Sequence, residues 1–259
     1  RGGAARLAAR AALRAGAGLV TLGCPPAAMP ENAARLDAIM LREVADAAAL
    51  DRLLEDDRLS SLCLGPGLGV GEGTRALVGA ACSGGGGGGA GRRRAVLDAD
   101  ALTSFADDPA ALFALLHRGC VLTPHEGEFA RLFPDLAERA RPAAGLSKID
   151  AARRAADRAG CTILLKGPDT AIASPGGGAA LHAAAYDRAV PWLSTAGAGD
   201  VLAGLIAGLL APPAAADGPH PATEAAAWLH VEAARQAGPG LIAEDLPEAV
   251  PGVFRALGL

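Results

Sequence analysis

The chain has 259 residues, which allows one large α/β domain or two small ones and is enough to bury a sizeable core. Its 24 Lys and Arg against 28 Asp and Glu give a net charge of −4, so the charge does not indicate a polyanion-binding surface. Aromatic residues make up only 3% of the chain, which argues against base-stacking platforms. We therefore expect no nucleic-acid partner.

The five cysteines show neither CxxC nor Cys/His spacing, so we expect no disulfide framework and no zinc site. The apolar run at 201–211 is far shorter than the ~20 residues that span a membrane, and no signal peptide is visible. These features predict a cytoplasmic protein without a membrane partner.

Helical and strand patterns alternate over nearly the whole chain. Helices are predicted at 4–15, 74–81, 109–117, 148–159, 201–211, 221–237 and 251–257, with short helices between 45 and 57. Strands are predicted at 18–24, 59–64, 95–97, 120–122, 161–165 and 171–173. This alternation predicts a single α/β domain over 1–259: a three-layer αβα sandwich whose mostly parallel central sheet has helices on both faces.

Two segments depart from this regular pattern. The chain opens on a helix, whereas a doubly wound sheet normally begins with a strand, so we expect a preceding N-terminal strand and its glycine loop to be missing. Residues 83–91 include six consecutive glycines, which predict a flexible surface loop to which we assign no function.

Four predicted strands end in unusual chemistry: Gly65-Pro66-Gly67-Leu68-Gly69, Asp98-Ala99-Asp100, Thr123-Pro124-His125-Glu126 and Lys166-Gly167-Pro168-Asp169-Thr170. Each also has a structural interpretation. The glycines suit a tight turn, the aspartates and His125 suit helix caps, and Lys166 can extend to solvent instead of binding an anion. In a parallel sheet, however, all four ends lie at one edge, where such folds bind ligands.

The segment Ser194–Asp200 leads directly into an apolar helix. Glycines and free first-turn amides suit a phosphate or an oxyanion, whereas Asp200 would repel a phosphate unless it accepts a proton beside it. Alternatively, the segment only punctuates the helix start. Its expected convergence with a lysine and a glycine turn favours phosphoryl-transfer machinery without a Walker lysine loop.

The four strand-end motifs, together with Leu97–Leu102, Leu122–Glu128 and Thr195–Gly204, resemble the ADP/ATP-dependent NAD(P)H-hydrate dehydratases of the ribokinase-like superfamily. The resemblance runs from about Ala4 to the C-terminus. It implies that hydrated NADH or NADPH is returned to the normal cofactor while ADP or ATP, with Mg²⁺, is consumed. It also implies a homo-oligomer, a tetramer in many members, and an epimerase fused to the chain or working with it.

The resemblance also implies roles for individual residues. The hydrate-binding positions are Ala17, Gly67, His125 and Asp200. The AMP moiety of the nucleotide is placed at Lys166, Gly167, Pro168, Asp169, Thr170 and Gly199. We expect Asp200 to accept the proton of the hydrate's ring hydroxyl, and the amides of Gly197, Ala198 and Gly199 to stabilise the transferring phosphoryl group. No residue is expected to be a dedicated metal ligand, since no dense carboxylate cluster offers a cage.

Two other functions remain open at this point. One is a small-molecule kinase of the same fold, such as a hydroxyethylthiazole or sugar kinase. The other is a non-catalytic nucleotide-binding domain. The sequence does not distinguish ADP from ATP, or NADH hydrate from NADPH hydrate.

Overall fold

The computed structural model describes residues 2–83, 93–141, 145–212 and 218–259. The helices are α1 Gly2–Arg14, α2 Met29–Ala33, α3 Ala47–Leu53, α4 Glu72–Ser83, α5 Asp100–Thr103, α6 Pro109–Leu115, α7 Glu126–Leu132, α8 Pro134–Arg139, α9 Lys148–Ala159, α10 Ala198–Leu210, α11 Pro219–Ala237 and α12 Asp245–Ala256. The strands are β1 Thr21–Cys24, β2 Met40–Glu43, β3 Ser61–Leu64, β4 Arg94–Leu97, β5 Cys120–Leu122, β6 Thr162–Leu165, β7 Asp169–Ala173 and β8 Ala179–Ala183.

The central sheet has six strands in the order β3-β4-β5-β6-β7-β8. The first four strands run parallel, and β7 and β8 continue the sheet as an antiparallel hairpin. Strands β1 and β2 form a separate parallel pair. The carboxyl ends of β3, β4, β5 and β6 therefore lie at one edge of the sheet, as the sequence predicted.

Each face of this sheet is covered by its own group of helices. Successive strand residues point to opposite faces, so that Leu97 and Ile163 pack with α4 to α9, while Val96 and Leu164 pack with α10, α11 and α12. The side chains of the central strands β5 and β6 are buried on both faces, whereas those of the outer strands β3 and β8 are partly exposed. The predicted three-layer αβα architecture is confirmed.

Helix α10 is fixed in place by a close approach to α1. A Cβ added at Gly204 would lie 2.1 Å from the carbonyl oxygen of Ala8, and one at Gly208 would lie 2.5 Å from that of Ala12. The two helix backbones are thus in contact at Gly204 and Gly208, where a side chain would not fit. Because Ala8 lies against Gly204 and Ala12 against Gly208, the two helices run parallel. This packing sets the position of the N-terminus of α10 at the functional edge of the sheet.

Several boundaries differ from the prediction. The strand β2 was not predicted, because its residues are exposed or half-buried and include Arg42 and Glu43, so no apolar pattern marks it. The last helix begins at Asp245 and continues through Pro251, which the prediction took as its start. Of the predicted flexible loop at 83–91, only Ser83, the last residue of α4, belongs to the described residues.

Among the residues that the structure describes, no helix is both long and apolar enough to cross a membrane.

Candidate functional site

A buried ion pair lies at the centre of the functional edge. The ammonium of Lys166, at the end of β6, is 2.7 Å from Oδ1 of Asp98, at the end of β4. The hydroxyl of Thr123, at the end of β5, donates to the same oxygen at 2.8 Å. The side chain of Asp98 is only 2% exposed, so its charge depends on these two donors. Lys166 therefore pairs with a protein carboxylate, an alternative that the sequence analysis did not consider.

The loop after β3 is pressed against the end of β4. A Cβ added at Gly65 would lie 1.7 Å from the carbonyl oxygen of Asp98, so only glycine fits there. The carboxylate of Asp100 accepts a hydrogen bond of 2.8 Å from the amide of Gly69. Gly67, predicted to bind the hydrate, lies between these two tethers with φ +74°, in the left-handed region that favours glycine.

The residue between the two aspartates has a strained backbone. Ala99 adopts φ +46° and ψ −116°, which a residue with a Cβ rarely does, and no side chain caps α5. The interpretation of Asp98 and Asp100 as helix caps is therefore wrong. Both carboxylates bond to other segments of the edge.

His125 caps helix α7. Its Nδ1 accepts hydrogen bonds from the amides of Gly127, at 3.0 Å, and Glu128, at 3.3 Å. The carboxylate of Glu128 accepts in return from the amide of His125 at 2.9 Å, which completes a capping box. The side chain of His125 is 55% exposed, and its Nε2 lies 3.5 Å from Oε1 of Glu128. The capping interpretation is confirmed, and it leaves room for the predicted hydrate contact.

Glu128 adds a second buried carboxylate. Its Oε2 lies 4.0 Å from the ammonium of Lys166, and its side chain is 6% exposed. Burial raises the pKa of Glu128 above its ordinary value, while the charge of Lys166 opposes that shift. Lys166 is therefore the cation shared by two carboxylates from neighbouring strand ends.

The N-terminus of α10 meets this cluster. Gly197 is the N-cap with φ +92°, and no side chain caps the helix. Asp200 is the third residue of the helix, so the interpretation of Asp200 as an N-cap is wrong. A Cβ added at Gly199 would lie 3.5 Å from the ammonium of Lys166 and 4.0 Å from Oδ2 of Asp98. First-turn amides and the ion pair thus face the same space.

Asp200 has the properties of a general base. Desolvation, reinforced by the charges of Asp98 and Asp100 and opposed by Lys166, raises its pKa from 3.8 to about 6. Such a carboxylate is ionised near neutral pH, yet it is more basic than an ordinary aspartate. A pKa close to the working pH is what proton transfer in a transition state favours.

The predicted AMP-binding segment forms the turn from β6 into β7. The amide of Lys166 donates to the carbonyl of Pro124 at 2.9 Å, which ties the turn to the residue before His125. The hydroxyl of Thr170 donates to the carbonyl of Gly167 at 2.9 Å, and the carbonyl of Pro168 accepts from Ala184 at 2.7 Å. The turn begins at Lys166, beside the N-terminus of α10, which brings the segment and Gly199 together.

Ala17 is not brought to this cluster. Leu7 of α1 contacts the start of α10, where a Cβ added at Gly197 would lie 2.8 Å from its Cδ1. At the other end of α10, a Cβ added at Gly208 would lie 2.5 Å from the carbonyl oxygen of Ala12, and Gly208 is eight residues beyond Asp200, roughly 12 Å along the helix axis. Ala17 follows the end of α1 at this far end. It is buried, and its amide donates to the carbonyl of Ala12 at 3.2 Å. The structure separates Ala17 from Asp200, so its predicted role has no support in this geometry.

Two residues of the cluster were not assigned a role from the sequence. Asp98 stood out as a strand-end carboxylate, and its place beside Lys166 follows from the pairing of β4, β5 and β6. Glu128 was interpreted only as an acidic residue in the first turn of a helix. The capping-box spacing from His125 to Glu128 was the available signal for its inward orientation.

The chain is similar to known proteins of one family. A sequence profile described as NAD(P)H-hydrate dehydratase matches residues 1–248. A Moorella thermoacetica protein named bifunctional NAD(P)H-hydrate repair enzyme Nnr is 38% identical over 272 residues, which cover 98% of this chain and 47% of that protein. The chain thus spans about half the length of the curated relatives that it matches first.

Solved structures show the same fold. An Enterococcus faecalis ribokinase-like superfamily protein aligns with TM-score 0.75 and 22% identity, covering 98% of this chain and 83% of that one. The Bacillus subtilis ADP/ATP-dependent NAD(P)H-hydrate dehydratase, co-crystallised with ATP and Mg²⁺, aligns with TM-score 0.72 and 23% identity, covering 98% and 84%. The fold is ribokinase-like, and because the family profile covers nearly all of the chain, the chain belongs to the NAD(P)H-hydrate dehydratase family.

Proposed function

We propose that this chain catalyses the nucleotide-dependent dehydration of hydrated NADH or NADPH, which restores the reduced cofactor. The observation that carries the proposal is the meeting of Asp200, whose pKa is raised to about 6, with the uncapped N-terminus of α10. A base and an anion-stabilising helix end in contact with one reacting centre suit phosphoryl transfer to a hydroxyl. Membership of the family names that hydroxyl as the one on the hydrated nicotinamide ring.

In the first step, Asp200 accepts the proton of the ring hydroxyl as its oxygen attacks the terminal phosphorus of the nucleotide. A new O–P bond forms, and the bond to the leaving nucleoside phosphate breaks. First-turn amides at Gly197, Ala198 and Gly199 stabilise charge on the transferring oxygens.

In the second step, the ring nitrogen's lone pair expels phosphate, which is a far better leaving group than hydroxide. Loss of a proton from the neighbouring ring carbon then restores the dihydropyridine. The hydroxyl oxygen of the hydrate leaves within the phosphate, and the net change is the removal of one water from the ring.

The nucleotide is the co-substrate, and we place its AMP moiety at Lys166, Gly167, Pro168, Asp169, Thr170 and Gly199. The support for this placement is that the turn from β6 into β7 begins beside Gly199. Mg²⁺ would enter with the ADP or ATP and reduce the charge of its phosphates. Within the described part of the chain, no group of three His, Cys, Asp or Glu residues is arranged to hold a metal ion, so phosphates and water would supply most of its ligands.

For the hydrate, we propose contacts with Gly67 and His125. Gly67 is supported by its place between two tethers to the end of β4, and His125 by its exposed side chain. The proposed contact with Ala17 would require the substrate to reach the far end of α1. An epimerase partner and a tetrameric assembly belong to this proposal on the strength of the family resemblance, and a cytoplasmic location belongs to it on the sequence features described above.

The test compares the wild-type chain with Asp200→Asn, using Asp51→Asn, an exposed aspartate on α3, as the matched control. Each protein is incubated with NADH hydrate and either ADP or ATP, and recovery of the reduced nicotinamide absorbance is followed. We expect wild type and Asp51→Asn to restore it and Asp200→Asn to lose this activity with its fold intact.

Near-normal turnover of Asp200→Asn would contradict the mechanism. A stable phosphorylated product without recovered NADH would show a small-molecule kinase. Binding of nucleotide and dinucleotide without turnover by wild type would show a non-catalytic domain.

A further inference from the structure

Lys148, the first residue of α9, places a half-buried ammonium against the turn from β6 into β7. Its Nζ donates to Oδ1 of Asp169 at 2.8 Å and to the carbonyl of Lys166 at 3.3 Å. It also lies 3.7 Å from Oε1 of Glu126 in the first turn of α7. The side chain is 18% exposed, and a Cβ added at Gly167 would lie 2.3 Å from the ammonium. The Lys148 ammonium thus lies against Lys166, Gly167 and Asp169 of the predicted nucleotide segment.

Ordering the half-buried Lys148 side chain has a free-energy cost that its contacts must offset. An ammonium removed from water needs oxygen partners, and ordering a lysine side chain costs conformational entropy. The backbone under Lys148 is fixed as well, because the hydroxyl of Ser147 accepts from the amide of Asp150 at 3.1 Å and caps α9. The backbone of Lys148 is therefore fixed by the capped start of α9, and its ammonium is hydrogen-bonded to the turn.

The contacts of Lys148 complement those already described for Lys166. The amide of Lys166 is held by Pro124, its ammonium by Asp98, and its carbonyl by Lys148. Both main-chain polar groups of Lys166, its amide and its carbonyl, are therefore hydrogen-bonded. Oδ1 of Asp169, three residues farther along the segment, also accepts a hydrogen bond from the Lys148 ammonium.

We propose that Lys148 is a positioning residue that holds the turn from β6 into β7 in its nucleotide-binding conformation. This inference rests on the proposed function, which places the AMP moiety on that turn. Both hydrogen bonds of the Lys148 ammonium go to the turn, and its ion-pair partner Glu126 lies 3.7 Å away, so we expect Lys148 to act on the nucleotide through the turn and not through the phosphates.

A positioning role and a direct phosphate contact predict different results. If Lys148 shapes the turn, AMP, ADP and ATP all lose affinity by the same factor when the ammonium is removed. If it binds a terminal phosphate, ADP and ATP lose affinity while AMP keeps it.

The experiment measures AMP, ADP and ATP binding by calorimetry for the wild type, Lys148→Met and Lys148→Arg. Arg153→Met is the matched control, because Arg153 lies on the same helix and its ion pair, with Asp150 at 3.0 Å, stays within that helix. Methionine keeps the length and helix propensity of lysine, and thermal unfolding checks that the variants fold.

For Lys148→Met we expect all three nucleotides to bind about tenfold more weakly, since a charge-assisted hydrogen bond to the turn is lost. The KM for the nucleotide should rise by a similar factor with kcat within about twofold, and Lys148→Arg should recover most of the affinity. Amide hydrogen exchange of residues 166–170 should accelerate in Lys148→Met without any ligand. Arg153→Met should match wild type in each measurement.

Unchanged nucleotide affinity and unchanged exchange in Lys148→Met would overturn the proposal, and so would a loss confined to ADP and ATP. Failure of the proposed function gives a different result. The wild type would then not convert the hydrate, whereas the equal loss of nucleotide affinity in Lys148→Met would still be seen. A wild-type chain that binds none of the three nucleotides would overturn both.

Discussion

Replacing Asp200 with asparagine is expected to stabilise the fold while removing activity. The pKa of Asp200 is raised from 3.8 to about 6, first by desolvation and then by the charge of Asp98. A shift of about 2 pKa units corresponds to roughly 3 kcal/mol of disfavoured ionisation. Because Asp200 is only half-buried, solvent screening reduces this to about 1 kcal/mol.

The sign of the effect follows from proton binding. A raised carboxyl pKa means that the folded state holds the proton more tightly than the unfolded state does. Ionisation of Asp200 therefore costs stability as pH rises from about 4 through 6. Asp200→Asn removes that cost, so the variant should be more stable than wild type by about 1 kcal/mol at pH 8. The difference should be much smaller at pH 4, where the folded-state carboxyl is protonated and the unfolded-state carboxyl, with a pKa of 3.8, is about half protonated.

Urea unfolding of both proteins at pH 4 and pH 8 measures this difference. Asp51→Asn, an exposed position, should show no comparable gain. A variant that is less stable than wild type at pH 8, or a gain of equal size at both pH values, would refute the argument that Asp200 is held as a strained, desolvated base.

The same pKa and the packing around it give further expectations. The rate at subsaturating substrate should fall tenfold per pH unit below about 6, and a flat profile down to pH 5 would contradict the assignment of the base. Gly204→Ala should lower the free energy of unfolding by about 2 kcal/mol or more because of the clash with α1. Gly79→Ala, in open space on α4, should raise it by about 0.5–1 kcal/mol. Urea titrations compare the two variants, and equal effects would exclude the backbone contact. Lys166→Met should cost about 3–5 kcal/mol by leaving the buried charge of Asp98 unpaired, and adding Asp98→Asn should recover most of that loss in a double-mutant cycle; additive losses would argue against the pair. His125→Ala should lose about 1 kcal/mol of stability with the helix cap while His125→Asn keeps it, although both should raise the KM for the hydrate; an unchanged KM would remove His125 from the binding site.

The convergence of the site was predictable because it depends on topology. Alternating strands and helices predict a parallel sheet, and in such a sheet the residues after β4, β5 and β6 become neighbours. The contact between Asp98 and Lys166 follows from that order, although 68 residues separate them in the chain. The motifs could not show that Lys166 already has a protein partner, because the sequence pattern of a strand-end lysine is the same whether it pairs with a carboxylate or with a ligand.

Other features depend on packing that local patterns do not reveal. The close approaches of Gly204 to Ala8 and of Gly208 to Ala12 join two helices that are far apart in the chain. Their order shows the direction of α1 and hence the separation of Ala17 from Asp200. The strand β2 has no apolar side to mark it. The position of Asp200 inside the helix depends on the left-handed φ of Gly197, because that glycine takes the capping position which an aspartate also favours.

The central claim is that the hydroxyl oxygen of the hydrate is phosphorylated before it leaves. The most direct measurement uses NADH hydrate carrying ¹⁸O in the ring hydroxyl, converted by the wild-type chain with ADP or ATP and Mg²⁺ in ordinary water. Mass spectrometry of the released inorganic phosphate should find one ¹⁸O for each NADH recovered. Phosphate without the label, with the ¹⁸O appearing in water, would contradict the account.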